Sequence, residues 1–394
     1  MLSRRTLTLA AIGLLVTQVV TLAAMFGKPA GFILVETGCA RFNEYVGVRA
    51  AGELALSGQP AKAYDWDAHL ARQRVIACST ADMNYPWSYP PTYLMVAAVL
   101  ASLPVAGGAL AWLTLTLGGY LWVVARASGQ RIAALWAAAT PATFACVSVI
   151  HTGFWTAGLM GLALTSLAAR PVLAGVCFGC LAMKPQLGLL VPVALIAGRH
   201  WRAMASTAAT AAALAILSIL CFGIEPWRLL VPQMTRVAQV IVDGRVPMEN
   251  LVTVYGALRL AGLGHAAATL VQSVVTAALA IGVYRLWRST AGDALKAAGL
   301  ASASLLATPY LFTYDLPMLA VVAAFLVRAA GAEGLAKLEI AGLAASAGVL
   351  FFGFASLPAG VVANLLTAAL VVRRVWPYVA PARRADTPVV AGAP

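Results

Sequence analysis

The side chains able to accept a proton or hold an anion are few in this 394-residue chain, and they gather where polar stretches meet apolar ones. Glu44 and Tyr45 open a helix-compatible stretch that runs to Leu56. A carboxylate near a membrane surface can act as a general base, and it can equally be a solvated group. The same polar region continues through Gly58-Gln59-Pro60 to Tyr64-Asp65. Lys184-Pro185-Gln186 lies between two apolar runs. A lysine there must reach an interface, a counter-charge or an anion. Both a snorkelling side chain and a point charge facing a phosphate fit. Thr308-Pro309-Tyr310-Leu311-Phe312-Thr313-Tyr314-Asp315 precedes the apolar run at Leu316. Asp315 suits a helix cap, and it also suits a hydroxyl-binding carboxylate beside Tyr310 and Tyr314.

Asn84-Tyr85-Pro86-Trp87-Ser88-Tyr89-Pro90-Pro91 combines rings suited to a membrane interface with prolines suited to a first helical turn. Several common chemistries have no motif here: there is no Walker A loop, no G-x-G-x-x-G after a strand, no H-E-x-x-H and no G-x-S-x-G. The four histidines, His69, His151, His200 and His265, show no metal-ligand spacing, so no metal site is expected. No clear D-x-D is present, and a divalent cation stays open as a cofactor. Cys177 and Cys180, inside an apolar run, read as small packing residues. Cys39 and Cys78 share the first polar loop and can pair if that loop faces an oxidising compartment.

The elements that must position these residues are membrane helices. Hydrophobic residues make up 61% of the chain and charged ones 10%, against about 25% charged in a soluble domain. Apolar runs recur from Leu7 to Val372, and in hydrocarbon such runs must be helical. The expected fold is an all-α polytopic bundle of roughly 12 transmembrane helices. The net charge of +13 is explained by basic residues at cytoplasmic loop ends, without nucleic acid. Arg199/Arg202, Arg285/Arg288, Arg328/Lys337 and Arg373/Arg374 mark that side. Leu7–Phe26 is an uncleaved first helix, and both termini are expected in the cytoplasm of a bacterial-type plasma membrane. Two long loops, about 27–89 and 223–264, then fall outside, with nine of the 14 acidic residues in them. The membrane domain is placed at 1–376, and 377–394 reads as a disordered cytoplasmic tail. Between Tyr89 and Arg199 lie six apolar runs where an odd number of crossings is required. Either one run does not cross, or Ile132–Ile150 breaks at Pro141.

Taken in order, the motifs resemble the polyprenol-phosphate-mannose-dependent mannosyltransferases of the C-type (GT-C) superfamily. The resemblance covers about 4–374. It rests on the acidic-aromatic first loop with Gly58 and Tyr64-Asp65, on Tyr89-Pro90-Pro91, on Gly153, on Lys184-Pro185-Gln186, and on Pro309-Tyr310 with Tyr314-Asp315. It implies a helical bundle with a catalytic outer cavity. There a sugar, mannose first, passes with inversion from a polyprenyl-phosphate carrier to a glycan or glycolipid hydroxyl. The family's catalytic acid, usually Asp, corresponds to Glu44. Tyr45, Tyr64, Asp65, Tyr89, Pro90, Pro91, Lys184, Gln186, Arg259, Tyr310, Tyr314 and Asp315 would bind substrate, with Lys184 and Arg259 near the phosphate. Phe154 stands where relatives tend to carry Gln after the glycine, which touches donor specificity. A transporter or flippase of a lipid-linked or small polar solute is the alternative. It predicts charged or helix-broken residues at mid-membrane, and Lys184 is the main one.

Overall fold

The structure is a computed structural model that describes residues 4–27, 31, 33, 39–41, 43–80, 85–352 and 358–380. Within them the chain forms eighteen α-helices linked by short 3-10 turns, without an extended strand. Helix α1 (Arg4–Phe26) leads. The first loop folds into α2 (Glu44–Leu56) and α3 (Trp66–Ala77). Then follow α4 (Pro91–Ala101), α5 (Val105–Ser128), α6 (Ile132–Ala138), α7 (Pro141–Val149), α8 (Gly153–Ser166), α9 (Pro171–Cys180), α10 (Val191–Ala197) and α11 (Trp201–Phe222). The second loop contains α12 (Glu225–Val242) and α13 (Val254–Leu260). The chain ends in α14 (His265–Arg288), α15 (Asp293–Leu306), α16 (Met318–Ala330), α17 (Lys337–Val349) and α18 (Ala359–Val379). Of the tail expected at 377–394, residues 377–379 belong to α18 and 381–394 lie outside the described residues, as do Glu36, Asp82 and Asn84.

The all-α architecture agrees with expectation, while length and composition alone do not reach the expected count of roughly 12 spans. Among the described residues six helices are long and apolar enough to cross a membrane, or seven if α6 and α7, bent by 58°, form one broken span. Helices of 10 to 14 residues such as α8, α9 and α15 reach only about 15–21 Å, short of the ~30 Å hydrocarbon core. Pro141 explains the bend, since it starts α7 and disfavours helical backbone at Thr140.

Helix α5 gives the bundle its two ends. Its start lies against the first loop, where a Cβ on Gly108 would overlap the Tyr45 hydroxyl and the Leu100 carbonyl. Its far end, 24 residues or about 36 Å away, is capped by Arg328, which donates to the Arg126 and Ala127 carbonyls. Helix α4 starts and finishes at the loop end: Tyr93 stacks on Trp87, and Arg49 of α2 donates to the Leu100 and Leu103 carbonyls. Both ends of the run Thr92–Leu103 therefore contact the first-loop segments.

The two long loops pack together at this end, with Arg236 of α12 over the Trp66 ring at 4.8 Å. Cys39 and Cys78 form a disulfide that ties the approach to α2 to the end of α3. Glu53 braces the same pair, accepting from Arg49 and from Arg72, each at 2.6 Å. Buried His69 donates through Nε2 to the Gly47 carbonyl, and burial pulls its pKa down to about 4, so it packs as a neutral ring. Elsewhere a seam of small residues joins α9 to α11: Cβ atoms on Gly175 and Gly179 would run into Ala203, Ser206, Thr207 and Thr210. Such close backbone approach is how helices bind each other in lipid. Cys177 belongs to the same buried packing and Cys180 is half-buried, both as free thiols. Helices α1 and α11 bury little, while α16 and α18 form the interior.

Candidate active site

Glu44 is the first residue of α2, and Asn43 caps that helix by accepting from the Tyr45 amide at 3.1 Å. Its carboxylate lies 3.7 Å from His151 Nε2. His151 in turn meets the Tyr89 hydroxyl at 3.0 Å and stacks on Tyr314, with ring centroids 3.9 Å apart. The His151 Nδ1 accepts from the Thr152 amide at 2.8 Å, so the neutral ring carries its proton on Nε2, toward Glu44 and Tyr89. Burial, then the Lys184 charge, pushes the His151 pKa well below its ordinary value and keeps the ring neutral. Ile150, at φ 52°, is a branched residue in left-handed backbone, and this turn at the end of α7 delivers His151 into the group.

Lys184 comes from the opposite side. The residue before a proline avoids helical backbone, so α9 and its 3-10 extension stop at Met183 and the chain restarts at Pro185. At that break the Lys184 ammonium meets Asp315 Oδ1 at 2.6 Å and lies 4.8 Å from the Tyr314 ring centroid. Asp315 also accepts from the Phe312 amide through Oδ2 at 3.3 Å, closing the 3-10 turn Thr313–Asp315. It is thus both a cap and an ion-pair partner. Gly153 makes room for this turn, because any Cβ there would overlap the Tyr314 carbonyl oxygen.

The carboxyl of Glu44 keeps 29% of its side chain accessible, yet its surroundings move it from 4.5 up to about 7. Burial is the main cause; Lys184 opposes it and Asp315 adds to it. Tyr89 and Tyr310 are held as neutral phenols, first by burial and then by the Glu44 charge. An accessible carboxyl titrating near neutrality, beside a buried cation, can take a proton from a hydroxyl while an anion departs.

Glu44, Tyr89, Lys184, Tyr310, Tyr314 and Asp315 therefore come together from segments far apart in sequence. Pro90 and Pro91 start α4 directly after Tyr89, and Tyr64 fixes that segment by donating to the Tyr89 carbonyl at 2.9 Å. Gln186 sits half-buried in the turn after Lys184. The remaining expected residues lie apart. Asp65 is exposed and caps α3. Tyr45 points into the core beneath α4 and α5. Arg259 donates to Tyr255 and to the Val242 carbonyl within the second loop. Phe154 packs against Tyr120 in the interior, with ring centroids 5.3 Å apart. His151 is the residue sequence reasoning missed; its signal was a polar side chain between the apolar run ending at Ile150 and Gly153.

An apolar cleft of about 230 Å³ is walled by Leu14 of α1, Phe144 of α7, Gly360 of α18, Leu316 and Thr313, the last two flanking Tyr314 and Asp315 in sequence. Among the described residues no three His, Cys, Asp or Glu side chains converge as metal ligands. No curated protein and no solved structure matches the chain. The sequence profile of glycosyltransferase family 87 matches residues 87–309, which takes in Tyr89, His151 and Lys184 and ends next to Tyr310. That match spans more than half of a chain whose helices are long and apolar enough for several crossings, and the protein belongs to glycosyltransferase family 87, a multi-pass membrane glycosyltransferase.

Proposed function

We propose that this enzyme transfers a sugar from a polyprenyl phosphate to an acceptor hydroxyl on the non-cytoplasmic face of the plasma membrane, with Glu44 as general base. Glu44 takes the proton of the acceptor hydroxyl. The acceptor oxygen bonds to the anomeric carbon as the bond from that carbon to the phosphate oxygen breaks. The electron pair stays on the phosphate, and the sugar leaves inverted. Lys184 stabilises the phosphate as its charge grows, while Asp315 holds the ammonium in place. His151 donates its Nε2 proton to the Tyr89 hydroxyl beside the Glu44 carboxylate, and Tyr89, Tyr310 and Tyr314 offer hydroxyls and ring faces to the sugar. Mannose is the sugar that the resemblance to polyprenol-phosphate-mannose-dependent enzymes implies, and a glycan or glycolipid is the acceptor.

The observation that carries this reading is the chain of contacts from the Glu44 carboxyl through His151 and Tyr314 to the buried Lys184–Asp315 pair, within a bundle of apolar helices. That combination suits a donor with an anionic head and a hydrocarbon tail, and it needs no nucleotide-binding fold. The test is incubation of the purified protein with polyprenyl-phosphate sugars and membrane acceptors, with products read by mass and anomeric configuration. Transfer with inversion, lost in Glu44→Gln, supports the mechanism. Transport of a labelled solute without any transfer would overturn it in favour of a carrier.

A further inference from the structure

At the end of the bundle opposite Glu44 lies a second cavity, of about 360 Å³. It opens where α5, α8, α14 and α16 finish and α15 begins. Arg126, His200, Lys296 and Arg328 line it against one carboxylate, Asp293, and Trp287 forms part of its wall. Among the described residues none of these groups is joined in an ion pair. Arg328 is held rigidly by its bonds to the α5 carbonyls through Nε and one Nη, which leaves its other Nη uncommitted. The positive end of the α15 dipole adds to the same field. Leu164 and Phe325 supply apolar walls.

We propose that this cavity is a binding site for a phosphate anion, separate from the site of sugar transfer. Guanidinium and ammonium groups around a roomy, half-open cavity with apolar walls match a phosphodiester better than a small carboxylate. Its place among helix ends puts it at the depth of lipid headgroups on the basic face, where such pockets recognise anionic lipids. Two sources carry the required chemistry: the headgroup of an anionic phospholipid and free phosphate.

The experiment uses the full chain purified in mild detergent. Native mass spectrometry compares retention of phosphatidylglycerol with phosphatidylcholine, and a parallel thermal-shift series adds inorganic phosphate. The wild-type protein is expected to retain phosphatidylglycerol selectively. Arg126→Gln combined with Lys296→Gln should weaken that retention by roughly tenfold or more, whereas Arg126→Lys with Lys296→Arg should keep it. A phosphate-induced shift lost in the same glutamine variant, without lipid selectivity, supports the site and identifies the soluble source. Equal retention of both lipids with no phosphate shift, or retention unchanged in the glutamine variant, overturns the proposal. The melting temperature in phosphatidylcholine, together with the charge-conserving variant, separates lost binding from lost folding.

Discussion

The Lys184 ammonium and the Asp315 carboxylate meet at 2.6 Å across 131 residues of sequence, with side-chain exposures of only 4% and 0%. Removing either partner strands the other charge in the interior. Lys184→Met is expected to destabilise the protein by about 3–5 kcal/mol. The double variant Lys184→Met with Asp315→Leu should recover most of that loss, because both charges are gone. Turnover should stay absent in the double variant. A thermal unfolding series paired with a transfer assay checks both halves; recovered turnover would assign the pair to structure alone.

Glu44→Gln removes the proton acceptor while keeping shape. With the carboxyl partly accessible, the fold should tolerate the change. Transfer should fall by about 10²–10⁴-fold, with donor retention little altered. Single-turnover measurements with a polyprenyl-phosphate sugar separate the two.

The Glu44 carboxyl titrates at about 7, raised mainly by burial. A base must be ionised to work, so activity should be lost as pH falls below about 7 and reach a plateau above it. The slope on the acid side should approach tenfold per pH unit. A pH profile of kcat/KM with an acid limb near 4.5 would remove Glu44 as the titrating base.

Gly153→Ala tests the close approach of α8 to the Thr313–Asp315 turn. The added methyl overlaps the Tyr314 carbonyl, so the turn must move, and with it Tyr314 and Asp315. A stability loss of about 1–3 kcal/mol is expected, with a larger proportional loss of turnover. Unfolding and transfer rates measured on one preparation test the disproportion.

Much of the site could be read from residue order. The helix from Glu44 to Leu56, the start at Pro91 and the break at Lys184-Pro185 each follow from local rules of capping and proline geometry. What local rules cannot give is which distant segments meet. Asp65 and Arg259 carried charges of the right kind, yet one caps α3 and the other braces the second loop. His151 is not legible in the spacing of the histidines to one another, because its partners Glu44, Tyr89 and Tyr314 come from three other segments.

The Cys39–Cys78 link gives the molecule a maturation order. Two thiols leave the ribosome reduced, and they join only after meeting an oxidant, which cytosol does not provide. Until then the arm bearing Glu44 lacks one of its two anchors. On the proposed orientation, export of the first loop thus doubles as the last step of manufacture, and an enzyme stranded on the reducing side stays unfinished.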